Sequence, residues 1–421
     1  MSQAHQEDPP GSLKNATRRV LTWYMRSADA AQTWINPNES HVAIQAADDD
    51  PAPATFASYE EAVQWFERER GNLVAAVRSA AGQSMNEIAW KLAVVLRGLY
   101  MEFNPFDDWI ATSTDGLRAA EALGDLSASA ELLESLGMAR AQLNQLNRST
   151  EYLQRALELR HRTGNQSGTA LTLNSLGLVL LRQHHLAEAQ AVFEECLGIY
   201  TELGDTHWPP VIHANLAEIL IGLRQYAEAA RLLTSALDAY RGRDDPGLEG
   251  NALWLLSAAR RGLGDASGAL TAARDAVDLA VRHRNPMWEG YWLLELGFAQ
   301  YAAGLSVEAL ASFGRSADLH HGIGDSTREA RAWDGAGVVR LSLGQVEIAA
   351  DAHRRAAEVF RRTEARWHLA GALGHLAQAL AAGGETARAR EAAAEALEIL
   401  AGFTDPDADA MRAALSDFPS A

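Results

Sequence analysis

The chain has 421 residues, of which 48% are hydrophobic and 22% are charged, and its formal net charge at pH 7 is -18. A surface of this sign repels a phosphate backbone, which argues against direct nucleic-acid binding. The single cysteine excludes an intramolecular disulfide, and no run of about 18 apolar residues is available to span a membrane. We therefore expect a cytoplasmic protein without a nucleic-acid or membrane partner.

The N-terminal part of the chain is predicted to be a leader followed by a helical cap. Residues 1–16 are polar, which predicts a disordered leader. Residues 17–84 are assigned to a helical linker or cap, with one helix over Thr17–Ile35 and a second that begins at Ser58. Ser58 and Glu61 have the spacing of a capping box, in which the two side chains satisfy free N–H groups of the first turn.

A 40-residue period runs through residues 85–405. The boundary residue Asp125 recurs as Asp or Asn at six of the next seven steps, which fall on Asn165, Asp205, Asp245, Asn285, Asp325, Ala365 and Asp405. A glycine often precedes the boundary, and glycine followed by Asp or Asn ends one helix and caps the next. Columns of Leu and of small residues, such as Leu176 and Gly177, allow two antiparallel helices to pack closely.

Each period is therefore predicted to be a pair of helices that stacks on its neighbours, because one pair cannot bury its apolar face alone. We assign one degenerate unit at 85–124, seven regular units that end at residue 405, and a C-terminal tail at 406–421. The degenerate unit has Arg97 and Trp109 where the other units have small residues. The predicted fold class is all-α.

The Leu-Gly pair, the later alanines and the two-helix unit resemble the tetratricopeptide repeat, whose common form has about 34 residues. The resemblance implies an α-solenoid of helical hairpins that forms a right-handed superhelix. In such folds the first helix of each unit lines an inner groove, which we call the inner face. Cys196 falls in a column otherwise filled by Ala or Ser, so we expect it to be a small buried core residue.

The cap carries a second resemblance. The residues that carry it are Tyr24, Asn36, Pro37, Phe56, Ser58, Tyr59, Ala62, Trp65, Phe66, Glu69, Asn72, Leu73, Ala75, Ala76 and Val77. They resemble the segment between the ATPase/winged-helix core and the repeats of actinobacterial AfsR-type regulators, which are Streptomyces antibiotic regulatory proteins and related signal-transduction ATPases. The chain has no G-x-x-x-x-G-K-[ST] loop and no DNA-binding domain before residue 17. The resemblance implies the sensor or scaffold part of such a regulator, either as a fragment or as a standalone relative.

The sequence contains no motif that indicates catalysis, a metal or a cofactor. H-E-x-x-H, G-x-S-x-G and a glycine-rich dinucleotide loop are all missing. His184 and His185 are expected to be exposed residues of a turn, and adjacent residues make a poor metal pair. His368 and His375 lie two helical turns apart, about 10 Å, which is too far for one ion. We assign no catalytic residue, no metal and no cofactor, and we expect a protein that is not an enzyme.

Candidate ligand-binding residues follow from the register of the inner face. They are Asn174, Asn215, Asn251, Trp254, Tyr291, Glu295, Phe298, Tyr301, Arg331 and Asp334. Further inner columns hold Ser175, Glu218, Arg261, His375 and Gln378. Aromatic and Arg side chains are favoured anchors at binding surfaces, although each aromatic ring can instead pack against the neighbouring unit. Glu295 and Arg331 would be suitable as an acid–base pair.

Two functions are compatible with these features. The first is a non-catalytic scaffold or sensor that binds a protein or peptide in the groove and, by the resemblance, acts in the regulation of secondary (antibiotic) metabolism. The second is a small-molecule-binding protein or biosynthetic enzyme that takes a small aromatic molecule. A closed pocket lined by Trp254, Tyr291, Phe298 and Tyr301 would favour the second function, and an open groove would favour the first.

Overall fold

The computed structural model describes residues 10–37, 41–45, 50–103, 105–241 and 245–416. These residues form 19 helices and no strand, so the all-α prediction is confirmed. In chain order the helices are α1 Pro10–Ile35, α2 Tyr59–Gly82, α3 Asn86–Phe103, α4 Phe106–Leu123, α5 Leu126–Gln142, α6 Leu146–Thr163, α7 Gln166–Arg182, α8 Leu186–Glu202, α9 Trp208–Gly222, α10 Tyr226–Arg241, α11 Pro246–Gly262, α12 Ala266–Arg282, α13 Pro286–Ala302, α14 Ser306–Gly322, α15 Ser326–Ser342, α16 Val346–Arg362, α17 Arg366–Ala382, α18 Thr386–Leu400 and α19 Pro406–Ser416.

The predicted boundary residues set the period of the helices. Asp125 accepts a hydrogen bond from the Ala128 N–H at 2.9 Å, and Asp325 accepts one from the Arg328 N–H at 3.0 Å. Asp245 and Asn285 cap their helices in the same way. The first N–H groups of a helix have no intrahelical partner, so a side-chain acceptor every 40 residues starts a new helix at the same place.

The turn inside each hairpin holds one residue in the left-handed backbone region. These residues are Asn144, His184, Arg224, Gly264, Gly304, Gly344 and Gly384. Glycine adopts this conformation freely, whereas His184 (φ 61°) and Arg224 (φ 59°) do so at a cost of about 1 to 2 kcal/mol each. Both side chains make contacts that offset this cost, as described below.

The chain divides into two compact units, residues 1–179 and 180–421, and each is described by itself. In the first unit α1 begins at Pro10, so residues 10–16, which we assigned to a disordered leader, are helical. Residues 1–9 of that leader lie outside the described residues. In the second unit α19 occupies most of the predicted C-terminal tail, and residues 417–421 lie outside the described residues.

The residues of the AfsR-type motif pack α1 against α2. The Tyr24 hydroxyl donates to Oε2 of Glu69 at 3.2 Å, and the same oxygen accepts from Nδ2 of Asn72 at 2.8 Å. The Trp65 side chain is buried, and its ring centroid lies 5.5 Å from that of Phe56. Buried aromatic rings contribute strongly to a helical core because each removes a large apolar area from water. The motif therefore acts in packing the cap.

A buried charge network joins α3, α5 and α6 of the first unit. The Arg160 guanidinium lies 2.5 Å from Glu134 and 3.2 Å from Glu131, and Glu131 also pairs with Arg97 at 3.0 Å. Burial raises the pKa of Glu134. Burial opposes ionisation of Glu131 as well, but the two guanidinium groups outweigh it and lower the pKa of Glu131. Arg97 of the degenerate unit occupies a column that holds small residues in the other units. Its buried charge is tolerated there because the Glu131 carboxylate neutralises it.

The core of the second unit follows the predicted columns. Cys196 is fully buried, which confirms its assignment to the core. Trp292 is fully buried as well, and a Cβ atom at Gly250 would overlap its ring, so this helix contact depends on glycine. None of the described helices has both the length and the apolar character needed to cross a membrane.

Candidate functional site

Side chains from the first helices of four hairpins share one space in the second unit. They are Arg182 on α7, Glu218 on α9, Tyr291 on α13, and Arg328 and Arg331 on α15, and we call them the inner-face cluster. Their charges shift one another's pKa values, so they lie within electrostatic range of one another. Three of the five occupy the inner columns expected from the sequence.

Tyr291 contacts both aromatic and cationic side chains in this cluster. Its ring centroid is 4.7 Å from that of Trp254, and the guanidinium carbon of Arg328 is 4.9 Å from the Tyr291 ring centroid. The second distance is in the range of a cation–π interaction. Burial, assisted by the Glu218 charge, raises the pKa of Tyr291 to about 12. The phenol therefore stays protonated at neutral pH and offers a hydrogen-bond donor beside an apolar surface.

Glu218 is the titratable group of the cluster near neutral pH. Burial raises the pKa of Glu218 to about 7, and the charges of Arg331 and Arg328 offset only part of the effect of burial. Its carboxyl group is therefore about half ionised at pH 7. The charge of Glu218 can consequently change when a charged ligand approaches.

The arginines of the cluster differ in their ionic partners. Arg328 forms an ion pair with Asp325. Burial, with a further contribution from the Arg328 charge, lowers the pKa of Arg331, yet arginine remains ionised in proteins. Within the part of the chain that the structure describes, no carboxylate lies within the 4.0 Å ion-pair distance of Arg331. Arg331 is thus a half-buried guanidinium group without an ion-pair carboxylate among these residues, and the charges of Glu218 and Glu295 act on it from a greater distance.

Asp334, one helical turn after Arg331, joins two histidines. Nδ1 of His353 lies 2.6 Å from Oδ1 of Asp334, and Nδ1 of His375 lies 3.0 Å from Oδ2. Burial would raise the pKa of Asp334, but the two imidazoles outweigh it and hold this pKa far below its usual range. His368 packs instead with its ring centroid 5.4 Å from that of Phe360, and burial lowers the pKa of His368 to about 3.

Glu295 does not form the acid–base pair with Arg331 that the sequence made available; it pairs with Arg261 instead. The buried Glu295 carboxylate accepts hydrogen bonds from Nε of Arg261 and from Oγ of Ser257, each at 3.1 Å. Arg261 lies on the first helix of the preceding hairpin, so the ion pair joins α11 to α13. Its role is therefore in packing neighbouring hairpins together.

The four predicted aromatic residues do not line one pocket. Trp254 and Tyr291 pack against one apolar cluster. Phe298 and Tyr301 pack against another, in which the Phe298 ring centroid lies 5.0 Å from that of Phe313. The closed aromatic pocket that would favour a small aromatic ligand is not assembled from these side chains.

The three predicted asparagines have different surroundings. Asn251 is exposed and accepts a hydrogen bond from Nε1 of Trp292 at 3.2 Å. Asn215 is half-buried on α9, the helix that also carries Glu218. Asn174 is buried and belongs to the first unit, so it is not part of the inner-face cluster.

His184 is not the exposed turn residue that we predicted, because its side chain is only 13% exposed. Its ring is stacked on Trp367 with centroids 3.4 Å apart, and its Nε2 lies 3.2 Å from Oδ2 of Asp405. At the next hairpin turn, Nε of Arg224 lies 2.5 Å from Oδ1 of Asp407, 183 residues away in sequence. We call these the turn contacts; they join the turns of the α7–α8 and α9–α10 hairpins to α17 and to the start of α19.

The sequence analysis missed Arg182, Arg328 and His353. Arg328 lies three residues before Arg331, and Arg182 lies four residues after the inner column of its own helix. Extending each helical face by one turn would have included both arginines, because residues three and four apart share a face. His353 lies on the second helix of its hairpin, and no pattern within one helix indicates that its ring reaches Asp334.

Two cavities lie in the first unit, away from these residues. Their volumes are about 350 and 330 Å³. Arg18, Glu87 and Ile88 line both cavities, so the walls come from α1 and α3. Neither cavity is lined by a candidate residue of the inner face.

Comparison with known proteins gives matches in sequence. Residues 114–202 match the family model of the tetratricopeptide repeat. The regulatory protein AfsR of Streptomyces griseus is 23% identical over 355 residues, which are 84% of this chain and 35% of AfsR. The chain thus spans about a third of the length of that relative.

Two solved structures show the fold. A Rap conjugation gene regulator of the plasmid pLS20, in complex with the Phr* peptide, aligns with a TM-score of 0.54 at 14% identity over 68% of this chain and 78% of its own. A signal transduction ATPase with numerous domains from Pyrococcus horikoshii, which has a tetratricopeptide repeat sensor, aligns with a TM-score of 0.51 at 14% identity over 78% of this chain and 49% of its own. The chain thus contains tetratricopeptide repeats, has the fold of a tetratricopeptide solenoid and is similar in sequence to the repeat-containing regulator AfsR over 355 residues.

Proposed function

We propose that this chain is the sensor module of a regulatory system and that it binds a peptide at the inner-face cluster of its second unit. The observation that carries the proposal is the Arg331 guanidinium, which has no ion-pair carboxylate among the described residues and lies near the Tyr291 and Trp254 rings, in a chain whose net charge is -18. The ligand that fits is a peptide with a carboxylate, from an acidic side chain or the C-terminus, next to an apolar side chain.

Each part of the cluster has a place in this binding. Arg331 offers charge-assisted hydrogen bonds to a carboxylate, and its planar guanidinium can hold both carboxylate oxygens. Tyr291 and Trp254 offer an apolar surface for the neighbouring side chain, with the phenol as a further donor. Glu218 takes up a proton as the anionic ligand approaches, which removes the one repulsive charge.

The related proteins support this proposal. One structure of similar fold is a gene regulator in complex with a peptide, and another has a tetratricopeptide repeat sensor. The relative AfsR is named a regulatory protein. The resemblance of the sequence to AfsR-type regulators leads us to propose that the module acts in the regulation of secondary (antibiotic) metabolism, where a partner domain or protein responds to its peptide-bound state.

A binding screen tests the proposal. Fluorescein-labelled synthetic peptides of equal length, with acidic, neutral and basic compositions, are titrated with the full chain, and binding is followed by fluorescence anisotropy. Acidic peptides that contain an aromatic residue should bind best. Arg331→Ala should weaken that binding about 10- to 100-fold, the loss of one hydrogen bond to a charged group.

Arg362→Ala is the matched control, because Arg362 is exposed on α16 and outside the cluster. This variant should bind acidic peptides as well as the unchanged chain does. Equal binding of acidic and basic peptides, or equal losses from the two replacements, would contradict the proposal. Circular dichroism of each variant shows whether the helical fold is retained.

A further inference from the structure

Three metal-type donors from three successive helices meet in the second unit. Asp334 lies on α15, His353 on α16 and His375 on α17, and one ligand atom from each lies within 4.8 Å of the other two. The two imidazole rings are 5.2 Å apart between centroids and both direct Nδ1 at the Asp334 carboxylate. This geometry brings together two nitrogens and one oxygen that are far apart in sequence.

The donors are held in place before any ligand binds. His353 is fully buried, and its ring packs so closely on α15 that a Cβ atom at Gly337 would overlap it. His375 stays 38% exposed and Asp334 is half-buried, so the site is open on one side. A fixed imidazole with two partly accessible donors is the arrangement of an open site, which leaves coordination positions for water or another ligand.

We propose that Asp334, His353 and His375 form a binding site for a divalent transition-metal ion such as Zn²⁺. Two imidazole nitrogens and one carboxylate oxygen suit zinc and its neighbours in the first transition row, whereas Ca²⁺ and Mg²⁺ prefer oxygen donors alone. Ligand atoms on one tetrahedral zinc ion lie about 3.3 Å apart, and the N–O separations here are 2.6 and 3.0 Å. Ion binding releases the protons that now form these hydrogen bonds.

The site has one feature that limits its affinity. Nε2 of His353 is buried and, among the described residues, has no hydrogen-bond partner. Metal-binding histidines usually donate this second N–H to an acceptor, and loss of such a partner weakens binding by about 10- to 100-fold. We therefore expect a weaker and more exchangeable site than one built for structural zinc.

The test is a titration of the full chain with Zn²⁺ alone, without a polyhistidine tag, by isothermal titration calorimetry. One ion should bind per chain. Co²⁺ in its place should give the visible absorption of a low-symmetry, four- or five-coordinate site. Asp334→Asn and His375→Gln should each weaken Zn²⁺ binding at least about 10-fold.

His321→Gln is the control, because the exposed His321 has its Nδ1 3.2 Å from Oε1 of Glu329 but no third donor beside them among the described residues. This variant should bind Zn²⁺ like the unchanged chain. No binding by the folded unchanged chain, or equal binding by all variants, would show that Asp334 only hydrogen-bonds the two imidazoles. Because His375 is partly exposed, His375→Gln should leave the fold intact. It therefore tests the metal site even if Asp334→Asn fails to fold. The outcome is independent of whether peptides bind.

Discussion

Replacing Arg160 by Met should destabilise the first unit to an extent that depends on pH. Arg160 pairs with Glu134 at 2.5 Å and with Glu131 at 3.2 Å, but Glu131 keeps a second partner in Arg97 at 3.0 Å. The variant therefore leaves one buried carboxyl group, Glu134, whose remaining hydrogen-bond partner among the described residues is the Ser175 hydroxyl at 3.4 Å, with the Arg97 charge acting from a greater distance. Methionine keeps most of the apolar stem, so the replacement removes mainly the charge.

The cost is bounded by the free energy of protonating Glu134. The side chains of Arg160 and Glu134 are 3% and 1% exposed, so an unpaired carboxylate there becomes protonated instead. From the ordinary pKa of 4.5, protonation costs about 1 kcal/mol at about pH 5.5 and about 5 kcal/mol at about pH 8. Loss of one partner of a buried pair commonly costs about 3 to 5 kcal/mol. We therefore expect Arg160→Met to lose about 3 to 5 kcal/mol of stability at the higher pH.

The sign of the pH effect follows from linkage. In the variant the pKa of Glu134 in the folded chain lies further above its unfolded value, so the folded chain binds more protons. Its stability is therefore greatest below the unfolded pKa and falls as the pH rises through the folded pKa. The deficit relative to the unchanged chain should grow between about pH 5.5 and about pH 8.

Urea unfolding followed by circular dichroism at both pH values measures this deficit. Arg162→Met is the control, because Arg162 is exposed on the same helix and has no ion-pair partner among the residues described. If Arg160→Met lost no more stability than Arg162→Met, or if its deficit did not grow with pH, the account of the buried network would be wrong.

Three further predictions concern the second unit. Gly250→Ala should lower stability by about 1 to 3 kcal/mol in thermal unfolding, because its Cβ would overlap a buried indole ring. Gly371→Ala, in a helix with open space around it, should instead raise stability by up to about 1 kcal/mol. Affinity for an acidic peptide should fall as the pH rises through about 7, where Glu218 ionises, and Glu218→Gln should flatten that profile in anisotropy titrations. His184→Gly should lower the melting temperature because the turn contacts of His184 are lost, even though glycine adopts the left-handed backbone conformation more easily. Arg284→Gly, at an exposed residue with the same backbone conformation, should not lower the melting temperature.

The sequence predicted the helices well because local chemistry determines them. A capping Asp or Asn recurs every 40 residues, and Asp125 and Asp325 form the hydrogen bonds that this pattern implies. Cys196 is buried where a column of small residues placed it. Such features depend on neighbours within a few residues or on one repeated packing contact, so a single sequence is enough to predict them.

Contacts between distant residues account for what the sequence did not predict. His184 is a turn residue by its local sequence, and only the meeting of distant hairpins stacks it on Trp367. His353 reaches Asp334 across a helix–helix contact, which no pattern within one helix indicates. Phe298 occupies an inner column but turns into the core, because side-chain direction depends on the neighbouring hairpin.

Hydrogen–deuterium exchange tests the central claim most directly. The full chain is compared with and without the acidic peptide that binds best in the anisotropy screen. The account predicts that the peptide protects amides of α13 and α15, the helices that carry Tyr291 and Arg331, and that Arg331→Ala reduces this protection. Protection confined to the second helices of the hairpins, or no protection at peptide concentrations that saturate binding, would contradict it.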